Sequence, residues 1–103
     1  MVPSARASAK KRAILRFRPA ILRITKRYGA TNIRVFGSFA RGEQGRRSDI
    51  DLLVDLSDDS TLLSHAGLKV DLEEALGRKV DVVSACSIKP LLRASIFADA
   101  YPL

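Results

Sequence analysis

Apolar residues recur along this chain in two rhythms, one of three to four residues and one of two. Ile14, Phe17, Ile21, Ile24 and Tyr28 keep the first, with Arg16, Arg23, Lys26 and Arg27 mostly elsewhere around the wheel. That spacing lines one face of a helix. Pro19 interrupts it, and a proline inside a helix deletes a hydrogen bond and clashes one turn back. The main helix is therefore expected over residues 19–28, with Pro19 as its first helical residue and Gly29 as its cap. A short turn or kinked segment should precede it, and residues 1–9, small and polar, should fray. Residues 33–36 and 49–55 read as the first two strands. Between them, residues 39–48 contain Gly42 and Gly45 and are expected to open as a short helix after Ser38, then run as a mobile loop. Ser57, Asp58, Asp59 and Ser60 are turn formers and a helix N-cap signal. A second helix is expected over residues 61–76, with Leu68, Leu72, Ala75 and Leu76 as its core stripe. Gly67 weakens its middle and Gly77 ends it. Residues 79–83 form a third strand by alternation, Val80 and Val82 on one face, Asp81 and Val83 on the other. Pro90 opens a final short helix, with Leu91, Ile96 and Phe97 expected to pack on the body.

This order predicts an α/β (α+β) fold: a small mixed β-sheet of three or four strands with two main helices packed on it. At 103 residues the chain supports one domain. We divide it into a basic N-terminal segment, residues 1–18, and the domain itself, residues 19–103. The hydrophobic share of 47% is ordinary for a globular fold. No apolar stretch approaches the roughly 20 residues that span a bilayer, and the N-terminus lacks the apolar region of a signal peptide. Cys86 is the one cysteine and has no internal disulfide partner, so a reducing cytoplasm is the expected setting. The net charge of +7 is unevenly spread. Residues 1–42 hold eleven Lys or Arg and no acid, whereas residues 43–103 hold seven bases and eleven acids. The basic half suits nucleic acid, the phosphates of a nucleotide or an acidic partner protein, and equally a solvated helix face. No aromatic stacking set accompanies the charges, so direct nucleic-acid binding is the minority reading.

Residues 37–55 carry the chemistry. Gly37 and Ser38 make a turn at the end of an apolar run, and Ser48 introduces Asp49 and Asp51, which lead into Leu52, Leu53 and Val54. Side chains two apart on a strand share a face, with Cα atoms roughly 6.5–7 Å apart. Two carboxylates so placed can hold divalent cations together, and a Gly-Ser turn offers backbone N–H groups to phosphate. Asp81 adds a third carboxylate if its strand pairs beside the second. Such a set suits two-metal phosphoryl transfer, in which ions about 3.5–4 Å apart stabilise both the attacking and the leaving oxygen.

Gly37-Ser38-Phe39-Ala40-Arg41-Gly42-Glu43, then Ser48-Asp49-Ile50-Asp51-Leu52-Leu53-Val54-Asp55 and later Asp81, resembles the DNA-polymerase-β-like nucleotidyltransferase superfamily. It looks most like the minimal nucleotidyltransferases (MNT), many of them antitoxins of HEPN/MNT toxin–antitoxin pairs. The resemblance runs from about Pro19 to Leu103 and includes Leu76-Gly77-Arg78-Lys79-Val80-Asp81-Val82-Val83 and the Ala-Tyr-Pro-Leu ending. It implies Mg²⁺-dependent transfer of AMP from ATP to an acceptor hydroxyl, with release of pyrophosphate. Gly37 and Ser38 would hold the triphosphate, while Asp49, Asp51 and Asp81 would be the catalytic and metal-binding carboxylates, Asp81 near the acceptor. Arg41 would contact phosphate or shape the loop. Ser48 stands at the edge of the nucleotide-binding set and more as a cap on the strand's start. By the same resemblance the partner is a HEPN ribonuclease toxin, and the acceptor one of its tyrosines.

Other residues have plainer readings. Asp55 ends the strand, Asp58 and Asp59 belong to the turn, and Glu43 is a solvated loop residue. His65 has no partners at metal-ligand spacing and is expected on the helix surface. Cys86 reads as a small apolar filler, and Tyr101 as packing ahead of a self-modification target. Two other functions stay open: neutralising a partner by covering it with little catalysis, and nucleotidyl transfer to a small molecule. The latter is disfavoured because 103 residues leave no room for a second, acceptor-binding domain.

Overall fold

Pro19 stands in the first turn of the first long helix, where its missing N–H would have had no acceptor. The computed structural model describes residues 12–103. A 3₁₀ turn, Ala13–Arg16, leads into α1 (Arg18–Arg27), β1 (Thr31–Phe36), α2 (Gly37–Arg41) and β2 (Ile50–Asp55). There follow α3 (Leu62–Leu76), β3 (Val80–Ser84), a second 3₁₀ turn (Ala85–Ser87), α4 (Pro90–Asp99) and β4 (Tyr101–Pro102). The frayed residues 1–9, and residues 1–11 of the basic segment 1–18, lie outside the described residues.

The four strands form one sheet in the order β3-β2-β1-β4. β1 runs antiparallel to both β2 and β4, and β2 runs parallel to β3. The sheet is therefore mixed, and α3 is the crossover a parallel pair requires. Alternation sorts the side chains. Ile50, Leu52, Val54, Val80 and Val82 are buried in one cluster with Ile14, Ile21 and Ile24 before and within α1 and Leu68 and Leu72 of α3. Each such side chain contributes about 1.5–3 kcal/mol on burial. The other face carries Asp51, Leu53, Asp55 and Asp81, and α4 covers it only toward β1 and α2. The aspartates thus lie on the face turned away from the main core.

Several boundaries move by one residue. β2 begins at Ile50, not Asp49, and β3 runs from Val80 to Ser84. The N-cap of α3 is Thr61, after the Ser-Asp-Asp-Ser turn, in a capping box with Ser64. Ala75 is exposed, so the core stripe of α3 is Leu68, Leu72 and the half-buried Leu76. Leu91 and Phe97, expected to pack, are 95% and 39% exposed, and only Ile96 of the three is half-buried, as α4 rests on β1 and α2. Gly67 has a specific reason to be there. The Tyr28 ring lies against it, an added Cβ would stand 3.2 Å from the Tyr28 hydroxyl, and that hydroxyl donates to the Asp71 carboxylate, joining α1 to α3.

Candidate active site

Three strand ends meet at one edge of the sheet. Because β1 is antiparallel to β2 and β2 parallel to β3, the end of β1 lies beside the starts of β2 and β3. Across that edge the order is the Gly37-Ser38 turn, then Asp49 and Asp51, then Lys79 and Asp81. Asp51 and Asp81 are direct neighbours in the β2–β3 register, so their Cα atoms stand about one strand spacing, ~4.8 Å, apart. Asp49 precedes β2 in the loop and is exposed, and the adjoining Ile50 N–H is fixed to the Lys79 carbonyl at 3.0 Å.

Gly37 is packed against this cluster. Its φ is +73°, and a Cβ on it would overlap the Asp51 carboxylate. A side chain is excluded on both counts, so the backbone of the turn lies directly on the carboxylate. From there α2 begins, and the first N–H groups of a helix have no acceptor within it. Backbone N–H donors and a carboxylate thus share one wall.

The electrostatics are repulsive. Burial, followed by the negative charges of Asp81 and Asp49, raises the Asp51 carboxyl to about 6, with Arg41 acting the other way. Like charges at short range oppose ionisation, and an opposite charge restores it. Among the described residues no three of His, Cys, Asp and Glu stand close enough to cage a metal ion unaided. Mg²⁺ is characteristically held by one or two carboxylates together with waters and substrate phosphates rather than by an all-protein cage. The hard oxygen donors of Asp49, Asp51 and Asp81, beside the Gly37-Ser38 turn, fit that mode.

Two of the remaining expected site residues, Arg41 and Ser48, are already engaged. Arg41 donates through Nε to Glu43 at 2.9 Å and through Nη1 to Asp99 of α4, so loop shaping is its visible role, with Glu43 its exposed partner in the loop. The Ser48 hydroxyl accepts from the Gly45 N–H at 2.8 Å, closing the turn that leads into Asp49. Ser38 is the second residue of α2 and partly buried. Two plainer readings need correction. His65 is partly buried, and its Nε2 lies 2.8 Å from the Val82 carbonyl; with that nitrogen protonated it satisfies an acceptor on the edge strand. Cys86 is exposed rather than a filler, and hydroxyls of Ser84 and Ser87 beside its sulfur lower the thiol's pKa.

Sequence reasoning missed a basic cleft of about 410 Å³ beside Asp49, lined by Arg46, Arg47, Gly77, Arg78 and Lys79. The signal was present twice, as Arg46-Arg47-Ser48-Asp49 and Arg78-Lys79-Val80-Asp81. Arg78 braces this wall: Nη1 donates to the Ser48 carbonyl at 3.1 Å, and the guanidinium lies 5.1 Å from the centre of the buried Phe39 ring.

Comparison with known proteins gives the family and the fold. The nucleotidyltransferase domain family matches residues 18–103. A Methanocaldococcus jannaschii protein provisionally named a protein adenylyltransferase is 44% identical over 80 residues, 78% of this chain and 86% of that protein. The protein adenylyltransferase MntA of Thermococcus cleftensis is 42% identical over 76 residues, 74% of this chain and 77% of its own. Among solved structures, one provisionally described as a minimal nucleotidyltransferase superposes with a TM-score of 0.78 at 45% identity, covering 90% of this chain and 95% of that one. A toxin–antitoxin structure with AMP-PNP superposes with a TM-score of 0.73 at 27% identity, covering 82% and 69%.

Proposed function

The chain belongs to the nucleotidyltransferase family, among its minimal members, and from that premise we propose that it transfers AMP from ATP to a tyrosine hydroxyl of a HEPN ribonuclease toxin and so acts as its antitoxin. The observation that carries this is the Gly37 turn laid against Asp51, itself in register with Asp81. The relatives named as protein adenylyltransferases and the toxin–antitoxin likeness support the same reading.

In this proposal the triphosphate rests on the N–H groups of Gly37 and Ser38 and on the Ser38 hydroxyl. Asp49, Asp51 and Asp81 would be the residues that hold Mg²⁺, and the metal would supply neutralisation of phosphate charge and polarisation of the α-phosphate. The acceptor oxygen attacks the α-phosphorus, a new O–P bond forms, and the bond to pyrophosphate breaks with its electron pair leaving on pyrophosphate. Asp81, exposed at the start of β3, takes the hydroxyl proton or passes it to solvent. Arg41 exchanges a carboxylate partner for phosphate; Ser48 holds the loop. No described helix is long and apolar enough to cross a membrane, and an ATP-using reaction on a toxin belongs in the cytoplasm.

A second reading has its own observation. Leu91, Leu92 and Phe97 are exposed on α4, apolar surface available for covering a partner without chemistry. Incubation with α-labelled ATP, Mg²⁺ and a HEPN ribonuclease toxin separates the two. We expect label on the toxin, lost in Asp49→Asn and Asp51→Asn. A tight complex with no label, the same in both variants, would leave only the covering role.

A further inference from the structure

The basic cleft carries more positive charge than the protein itself neutralises. Arg46, Arg47 and Lys79 form no ion pair with any described carboxylate, in contrast to Arg34, paired with Asp55, and Arg41, paired with Glu43 and Asp99. Residues 1–11 contain no acid that could supply the missing countercharge. Asp49 is the one carboxylate in the lining. Like-charged groups held around one cleft, with no internal partner, attract an anion from outside.

Position says which anion. The cleft adjoins the β3 side of the aspartates, and the Gly37-Ser38 turn adjoins the β1 side. Transfer of a phosphoryl group places the attacking and leaving oxygens roughly in line, on opposite sides of the phosphorus. With the triphosphate on the turn, pyrophosphate departs toward β1 and the acceptor approaches from β3. Lys79 and Asp81 are two residues apart and both exposed, so they share one side of the chain. The carboxylate positioned for the acceptor's proton therefore stands next to the cleft's lysine. What lies beside the acceptor hydroxyl meets Arg46, Arg47 and Lys79.

We propose that this cleft is the acceptor subsite and selects a polypeptide whose acceptor hydroxyl is flanked by acidic side chains. The proposal rests on the nucleotidyl-transfer reading for its chemistry: the acceptor oxygen bonds to the α-phosphorus, pyrophosphate leaves, and the proton passes to Asp81 or water. Its recognition part is independent of turnover. Arg78 is bound to the loop and acts on the cleft as a positioning residue, so it stays outside the test variants.

The test uses the full chain and two fluorescent tyrosine peptides, one with Glu on both sides of the tyrosine and one with Gln there. Binding of the Glu peptide should exceed that of the Gln peptide, weaken with salt, and fall about tenfold in the triple variant Arg46→Gln, Arg47→Gln, Lys79→Gln, as expected for three exposed ion pairs. Asp49→Asn, Asp51→Asn protein should still bind it. In the transfer assay the triple variant should show a raised KM for the Glu peptide with kcat and ATP affinity retained. Equal binding of both peptides, or no loss in a triple variant that melts like the wild type, overturns the proposal. So does an equal loss of ATP affinity, which would give the cleft to the triphosphate, or tighter binding of a single-stranded RNA oligonucleotide than of the Glu peptide. Glu-selective binding with no label transferred to any acceptor, the toxin included, would retain the docking site and reject the transfer reading instead.

Discussion

At Gly37 two constraints coincide, a φ of +73° and the Asp51 carboxylate where a Cβ would stand. A left-handed backbone costs a residue bearing Cβ about 1–2 kcal/mol, and the overlap adds a displacement of Asp51. Gly37→Ala should lower the melting temperature accordingly and abolish transfer, because the carboxylate it displaces is a proposed ligand. In an Asp51→Ala background the same change should cost only the backbone term; a cost identical in both backgrounds would deny the contact. Asp51 makes a separate prediction. Its carboxyl is raised from 3.8 to about 6 by burial and by Asp81 and Asp49, so in metal-free protein the folded state holds the proton longer than the unfolded one. Stability from this group is undiminished below pH 3.8, declines between 3.8 and about 6, and stays reduced above. Asp51→Asn should therefore melt higher than wild type at pH 8, and the gap should close as pH falls toward 4. A gap independent of pH would assign the effect to packing. The paired aspartates and the Gly-Ser turn were legible because they are adjacent in sequence. The Arg41–Asp99 pair was not: its partners are 58 residues apart, and only the docking of α4 against α2 joins them.

Elements were legible where the sequence marks both rhythm and ends. α3 shows this at its limits: Leu68 and Leu72 keep helical spacing, and Gly77 closes it in the left-handed conformation at φ +63°. Its start was misplaced because Ser57, Asp58, Asp59 and Ser60 are all cap-type residues, while the reciprocal Thr61–Ser64 box decides the issue: the Ser64 N–H donates to Thr61 Oγ1 at 3.0 Å and the Thr61 N–H to Ser64 Oγ at 2.9 Å. β4 was invisible for a different reason. Two residues have no period, and this strand exists because Val35 and Arg34 offer it an edge. The cap also yields a prediction. α3 is the crossover that sets β3 beside β2, but its N-terminus is the end remote from the aspartates. Thr61→Ala should lose about 1 kcal/mol of stability in chemical denaturation while leaving the KM for ATP unchanged. A change in KM at constant stability would mean that the crossover transmits strain to the site.

The whole molecule is a sheet whose site lies at one end, held by the backbone pairing of β1, β2 and β3 and by the Arg78 bond to the Ser48 carbonyl. Asp51 and Asp81 belong to different strands, Gly37 to a third segment, and the charges among them oppose that assembly. A ligand that binds carboxylates and phosphate-binding N–H groups together would change the sign of the interaction across the entire edge. Mg²⁺ with a non-hydrolysable ATP analogue should therefore stabilise the fold by about 2.7 kcal/mol when free ligand is a hundredfold above its Kd. Protection should not be uniform. Amide exchange should slow most in residues 37–41, at the start of β2 and at the start of β3, and least in α1 and the N-terminal turns of α3. Because the carboxylates must be ionised to hold the cation, and Asp51 gives up its proton only near pH 6, the stabilisation should be larger at pH 8 than at pH 5. In Asp51→Asn it should fall at both to that given by nucleotide alone. Nucleotide alone, without divalent cation, should protect residues 37–41 but not the starts of β2 and β3, separating phosphate contact from carboxylate bridging. Equal protection at all three segments without the cation would show that the edge is closed by the nucleotide, and that the aspartates serve the acceptor rather than the metal.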